Sequence, residues 1–340
     1  MKKNTVLGID VGHNRLKLAL YSGGVIKRTA AAEMPEGALK EGRPDPAEMV
    51  SDLIKETMKA AGIHAANAAL SISGENIFIK HIEMPLMTVE QLKKNLPYEF
   101  NDFIDGDPNN FVFDYITVED AEELPPPEDE EEEVPHVNLL GVASPKDYLD
   151  LMKDTLKRAG LKLVSAAPEL SAYAALIRNR GMGIEVSGNE YGFVDLGYER
   201  IRVFMFKGET FMTSRELEWG ISDVVACVAD DMATEVFTAR SYLETNFEDC
   251  QELESVRNRF DLIAVELKRS LDFYRFSNPD SQLHDIWILG GGSYLRPLID
   301  ELVVQLDDIM IHSTDELLPE LEGDENRNLF LQAAGIAMNQ

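Results

Sequence analysis

Two stretches of this chain follow one plan, and that duplication constrains the fold more than any other feature. Val6 to Val11 is a short apolar run carrying Asp10 and closed by Gly12, after which Leu16, Leu18 and Leu20 alternate with Arg15, Lys17 and Ala19. The pattern predicts strand, tight turn, strand. A third strand, Val25 to Thr29, follows the Gly23-Gly24 turn. The plan returns at Phe193-Val194-Asp195-Leu196-Gly197, continues in the alternation of Arg200 to Phe206, and turns at Gly208 into Phe211 to Leu217. A repeated three-stranded meander, each copy opened by Asp-x-Gly, predicts two homologous lobes whose turns face each other across a cleft.

The residue types in the turns suit a magnesium-phosphate group. In Asp10-x-Gly12 with Lys17, the carboxylate can hold a hydrated cation and the glycine permits close approach of backbone N–H groups to an anion. Lys17 adds a positive charge. An ordinary hairpin with Asp and Gly in its turn satisfies the same pattern, and Asp195 reads equally as a turn residue bonded to nearby N–H groups. Further on, Ile286-Trp287-Ile288-Leu289 is a buried strand running into Gly290-Gly291-Gly292-Ser293 and a helix from about Tyr294 to Leu306. Glycines between a strand and a helix allow a flat or anionic ligand to come close.

Between the repeats, Pro46 opens a helix to about Ala61, and Leu70 to Ser73 and Asn76 to Glu83 read as strands. Residues 1–83 form the expected first lobe, to which 165–188 and a last helix, 326–338, return. Residues 84–164 read as a small αββαβ insertion, with Thr88 and Gln91 as a capping box and an aromatic-rich strand at Phe111 to Ile116. Residues 189–325 form the second lobe, with helices expected over Ser222 to Thr238 and Glu252 to Phe276. Within the insertion, Glu119 to Val134 holds consecutive prolines and a block of acids with almost no apolar residue, the composition of a solvated loop.

Charge excludes some partners. The chain has 32 Lys and Arg against 61 Asp and Glu, a net charge of -29, which repels nucleic acid and anionic lipid. The opening apolar run is too short for a signal peptide or a spanning helix, so a cytoplasmic protein is expected. Cys227 and Cys250 lack metal spacing and read as free thiols. The histidines show no ligand pairing, and no zinc site is expected.

The two Asp-x-Gly turns and the Leu289-Gly290-Gly291-Gly292-Ser293 loop, in that order, resemble the phosphate-1, phosphate-2 and adenosine motifs of the actin, hexokinase and heat-shock ATPase superfamily. Within it the chain resembles the PilM family of type IV pilus assembly, almost end to end. The resemblance includes the insertion entered through Ile82-Glu83-Met84-Pro85, the segment Leu96-Pro97-Tyr98-Glu99-Phe100, and the helix with Glu266-Leu267-Lys268-Arg269. It implies an α/β, actin-like (ribonuclease H-like) fold of two lobes, built of duplicated βββαβα units with a small α+β domain inserted in the first. It also implies ATP and Mg2+ as ligands. Asp10, Gly12, His13, Asn14, Lys17, Asp195, Gly197, Gly290, Gly291, Gly292 and Ser293 would make the nucleotide contacts, Asp10 holding magnesium through water and Asp195 orienting an attacking water. Hydrolysis is at most slow, since His13, Tyr198 and Trp219 depart from the residues usual in that family. The implied role is an adaptor at the inner face of the cytoplasmic membrane that binds the cytoplasmic tail of the inner-membrane protein PilN. Pilus assembly ATPases and a second copy of the chain are further implied partners. A division protein of the FtsA type would end in a basic amphipathic helix, whereas no Lys or Arg follows Arg327 here. A small-molecule kinase of the same superfamily would need a carboxylate base beside a hydroxyl-binding pocket.

Overall fold

The computed structural model describes residues 5–118 and 136–339; the acidic run read as a solvated loop, Glu119 to Val134, lies outside the described residues. The first lobe opens with β1 (Val6–Val11), β2 (Arg15–Ser22) and β3 (Val25–Glu33), followed by a small ribbon, β4 (Leu39–Lys40) and β5 (Arg43–Pro44), helix α1 (Ala47–Ala60) and β6 (Asn67–Ile72). Then come β7 (Phe78–Pro85), α2 (Val89–Glu99), β8 (Phe111–Thr117), β9 (His136–Pro145), α3 (Lys146–Arg158), β10 (Lys162–Pro168) and α4 (Glu169–Arg180). The second lobe holds β11 (Glu190–Leu196), β12 (Ile201–Lys207), β13 (Thr210–Leu217), α5 (Ile221–Asp231), α6 (Val236–Thr245), α7 (Glu254–Ser277), β14 (Asp285–Leu289), α8 (Arg296–Gln305) and β15 (Met310–His312). Helix α9 (Leu331–Met338) follows.

The duplication is visible in the sheets. One runs β3-β2-β1-β6-β10 and the other β13-β12-β11-β14-β15. In each, the first three strands in sequence are antiparallel neighbours and the next two add in parallel. The opening strand of each repeat is central, so β1 and β11 are buried along nearly their whole length, and both Asp-x-Gly turns leave from the same end of their sheets. Leu16 and Leu18 enter the first-lobe core as their alternation requires; Ile201, Val203 and Met205 do the same in the second.

The sheet pairing moves the boundaries of the insertion. Strand β7, expected in the first-lobe sheet, pairs with β9 in a separate sheet of order β7-β9-β8. Conversely β10, expected in the insertion, lies parallel to β6 in the first lobe. Tyr148, Met152 and Leu156 of α3 share a core with Val50 and Ile54 of α1. The insertion is therefore β7, α2, β8 and β9, residues 78–145, with its own core of Ile82, Leu92, Leu96, Phe100 and Leu139. Periodicity identifies a strand but not its partner, which depends on contacts distant in sequence.

Other elements differ in detail. The helix expected over Ser222 to Thr238 breaks after α5, where Ala233 takes a left-handed φ of 48° and α6 starts afresh. The last helix begins at Leu331 rather than 326, after a 3-10 turn at Arg327–Leu329. It is buried on every side rather than one, because it lies between the first-lobe strands and α4. Strand β15 was not expected; three residues are too few to show a period.

Candidate nucleotide site

Asp10 and Lys17 are direct neighbours across β1 and β2, so the hairpin brings a carboxylate and an ammonium together where the turn begins. Lys17 Nζ donates to Asp10 Oδ2 at 2.8 Å, and Asp10 is 3% exposed. Burial alone would lower the Lys17 ammonium, but Asp10 and Asp195 together hold it above its usual value. Lys17 thus ties the two turns electrostatically, one carboxylate from each lobe. Burial pushes the Asp195 carboxyl up, against the pull of Lys17 and Arg202.

Gly12 N donates to Arg15 O at 3.1 Å. A Cβ at Gly12 would lie 3.0 Å from that oxygen, and one at Gly197 would lie 2.4 Å from Arg200 O. Closure of the hairpin itself therefore excludes a side chain at Gly197 and crowds one at Gly12, which refines the expectation that a ligand alone demands glycine. In the third loop, Gly290 has φ +85°, a left-handed backbone that packs it onto Asp195, whereas a Cβ at Gly291 would meet nothing within 4 Å.

Asp10, Gly12, His13, Asn14, Lys17, Asp195, Gly197, Gly290 and Gly291 line one cavity of about 260 Å³ between the lobes. Gly292 and Ser293 do not. Gly292 is buried against Leu196 and Ile221, and Ser293 Oγ donates to Gly290 O at 2.7 Å while accepting from Asn328. Those two residues brace the loop from behind.

Two charged residues went unnoticed in the sequence. Arg202 lines the cavity, bonds Glu216 at 2.7 Å and reaches Glu169, the first residue of α4, at 3.3 Å. In sequence Arg202 is one member of a strand alternation, and the only hint to Glu169 is a carboxylate after Pro168 in an apolar stretch. Glu169 is buried and Arg202 partly buried where the lobes meet. Burial pushes Glu169 up to about 7, against the pull of Arg202 and with the Asp195, Asp10 and Glu216 carboxylates repelling the charge. Beside them the Tyr173 hydroxyl is buried with no hydrogen-bond partner among the described residues, and burial with the same carboxylates holds it well above its usual value.

Glu169 makes a pH prediction. Between its ordinary value of 4.5 and about 7 the folded state keeps a proton that the unfolded chain has lost. Stability therefore falls as pH rises through that window, by about 3 kcal/mol in all. Glu169→Gln has no charge to bury, so its melting temperature should gain on the parent between about pH 5 and about pH 8. A difference independent of pH would contradict this placement of Glu169.

A magnesium-nucleotide fits what is present. Among the described residues no group of three or more His, Cys, Asp or Glu is placed to hold a metal. Two carboxylates in one cleft suit magnesium, which takes one or two carboxylates and completes its shell with phosphate oxygens and water. The open side of Gly291 leaves room that a side chain would fill.

Comparison with known proteins decides the family. The profile of the type IV pilus assembly protein PilM matches residues 8–318. The chain belongs to the PilM family. Among solved structures, this PilM-family chain is similar to one described as a PilM–PilN type IV pilus biogenesis complex, with TM-score 0.80, 21% identity, and 98% of this chain and 97% of that one covered. It is also similar to the ethanolamine utilization protein EutJ from Carboxydothermus hydrogenoformans, with TM-score 0.61, 14% identity, and coverage of 100% and 91%. Both likenesses are of fold, and the fold is the two-lobed, actin-like one that the duplicated turns imply. No curated protein matches the sequence. No helix among the described residues is long and apolar enough to cross a membrane.

Proposed function

We propose that this PilM-family chain is a magnesium-ATP-responsive adaptor that captures the cytoplasmic tail of a PilN-like inner-membrane protein and so works at the inner face of the cytoplasmic membrane. The observation that carries the nucleotide half is the single cavity lined by the Asp10 turn, the Asp195 turn and the Gly291 loop. Lys17 would supply positive charge to the phosphates, Asp10 would hold the hydrated cation, and Gly291 would leave space for the adenosine. Bound magnesium would neutralise phosphate charge. Asp195 would orient a water, and slow hydrolysis at most is the expectation.

The tail half rests on the family and on the surface. The inserted domain exposes Leu86, Tyr98 and Ile116, apolar side chains of the kind that receive an extended peptide. A protein of net charge -29 favours a basic partner and speeds encounter with it. Ordering a free tail offsets part of the contact energy, so micromolar affinity is expected, about -8 kcal/mol at 1 μM. Fluorescence anisotropy of a labelled PilN tail from the same genome tests it. Saturable binding in that range is the expected result, and no binding by the full chain would return the kinase reading to first place.

A further inference from the structure

The lobes are joined across the mouth of the cleft by four charges arranged as two crossed pairs. On the first lobe Arg15 of β2 and Glu33 of β3 are register partners, side by side on neighbouring strands. On the second lobe Arg240 and Glu244 stand one turn apart on α6. Arg15 Nη2 donates to Glu244 Oε1 at 2.8 Å, and Arg240 Nη2 donates to Glu33 Oε2 at 3.0 Å. Each lobe thus carries one cation and one anion, and each meets its opposite on the other lobe. Arg240 also donates through Nη1 to Asn14 Oδ1, in the turn that the nucleotide reading assigns to phosphate. Its guanidinium lies 5.0 Å from the Phe237 ring centroid, which orients the fork toward the first lobe. The Arg240 side chain is 14% exposed and that of Arg15 23%.

We propose that Arg15, Glu33, Arg240 and Glu244 form a charge clasp that holds the lobes together, and that it must open for a nucleotide to enter or leave. The second clause rests on the nucleotide reading; the first does not. A single exposed ion pair contributes little, since ordering two long side chains offsets its attraction. Here the strands and the helix fix all four positions, and mutual pairing makes the set a network. Part exposure leaves the network open to screening by salt, whose Debye length falls from about 30 Å at 0.01 M to about 3 Å at 1 M. Opening would release Asn14 from Arg240, so the clasp and the first turn respond as one unit.

The test separates the two clauses. With the partly exposed Cys227 replaced by serine, spin labels at the exposed positions Glu36 and Glu235 report the distance between lobes by pulsed electron resonance, without nucleotide. Arg15→Gln, Glu244→Gln and their double variant should each lengthen and broaden the distance to the same extent, and about 1 M salt should do so in the parent. The fourfold exchange Arg15→Glu, Glu33→Arg, Arg240→Glu, Glu244→Arg should restore the parent distance. In stopped flow, a fluorescent ATP analogue with magnesium should associate about tenfold faster with either single variant, and the double should match the singles rather than exceed them, a tenfold change being the size a broken network of this kind allows. Parent-like distances in every variant would overturn the clasp. Altered distances with no analogue binding to any protein would uphold the clasp and overturn the nucleotide reading.

Discussion

Asp10→Ala should weaken magnesium-ATP binding by about 100-fold, equivalent to about 2.7 kcal/mol. The carboxylate it removes is the one proposed to hold the hydrated cation, and the same change leaves the Lys17 ammonium with Asp195 as its remaining close carboxylate. Breaking a buried ion pair by removing one partner costs about 3 kcal/mol or more in stability, so the titration belongs at a temperature where circular dichroism shows the variant folded. Gly291→Val supplies the companion without that complication. Its Cβ would meet no protein atom within 4 Å and its side chain enters the cavity, so affinity should fall while the melting temperature stays. Parent-like affinity in both variants would refute the assignment of the cleft.

Gly335→Ala is expected to destabilise the whole molecule by about 3 kcal/mol, well beyond the roughly 1 kcal/mol that alanine gains over glycine inside a helix. Gly335 lies in α9, and its Cβ would stand 2.2 Å from Ala172 O on α4. On the other face of α9, the Cβ of Gly8 would fall 1.8 Å from Ala333 O. The helix is therefore seated between strand β1 and α4 at backbone contact, and neither wall is a side chain that can rotate away. Denaturant unfolding of Gly335→Ala beside Gly291→Ala isolates the effect, because the second change adds the same methyl group to open space. Equal midpoints for the two variants would show that α9 can shift at little cost.

The parts of this fold that were legible in the sequence are those governed by neighbours along the chain. The capping box at Thr88 and Gln91 forms with both of its hydrogen bonds, and both Asp-x-Gly hairpins close as their alternation required. What was not legible depends on surfaces meeting across the fold. Strands β7 and β10 carry no local mark of the sheet they join. Arg202 and Glu169 look like solvated charges until the opposing lobe buries them, and Arg240 and Glu244 look like an ordinary helix face until Arg15 and Glu33 arrive opposite. In the site itself the turn residues were recognisable, but the reason for Gly12 and the bracing role of Ser293 follow from contacts only the folded loops make.

The claim that nucleotide and tail act on one molecule is tested most directly by calorimetric titration of magnesium-ATP into the full chain, alone and with a saturating PilN tail. If lobe closure shapes the first lobe for the tail, ATP should bind at one site per chain and the tail should tighten it. Reciprocity then requires ATP to tighten the tail by the same factor, between about 5- and 150-fold for typical couplings. Absence of ATP binding in both titrations, or an ATP affinity unchanged by a bound tail, would contradict the account of a nucleotide-responsive adaptor.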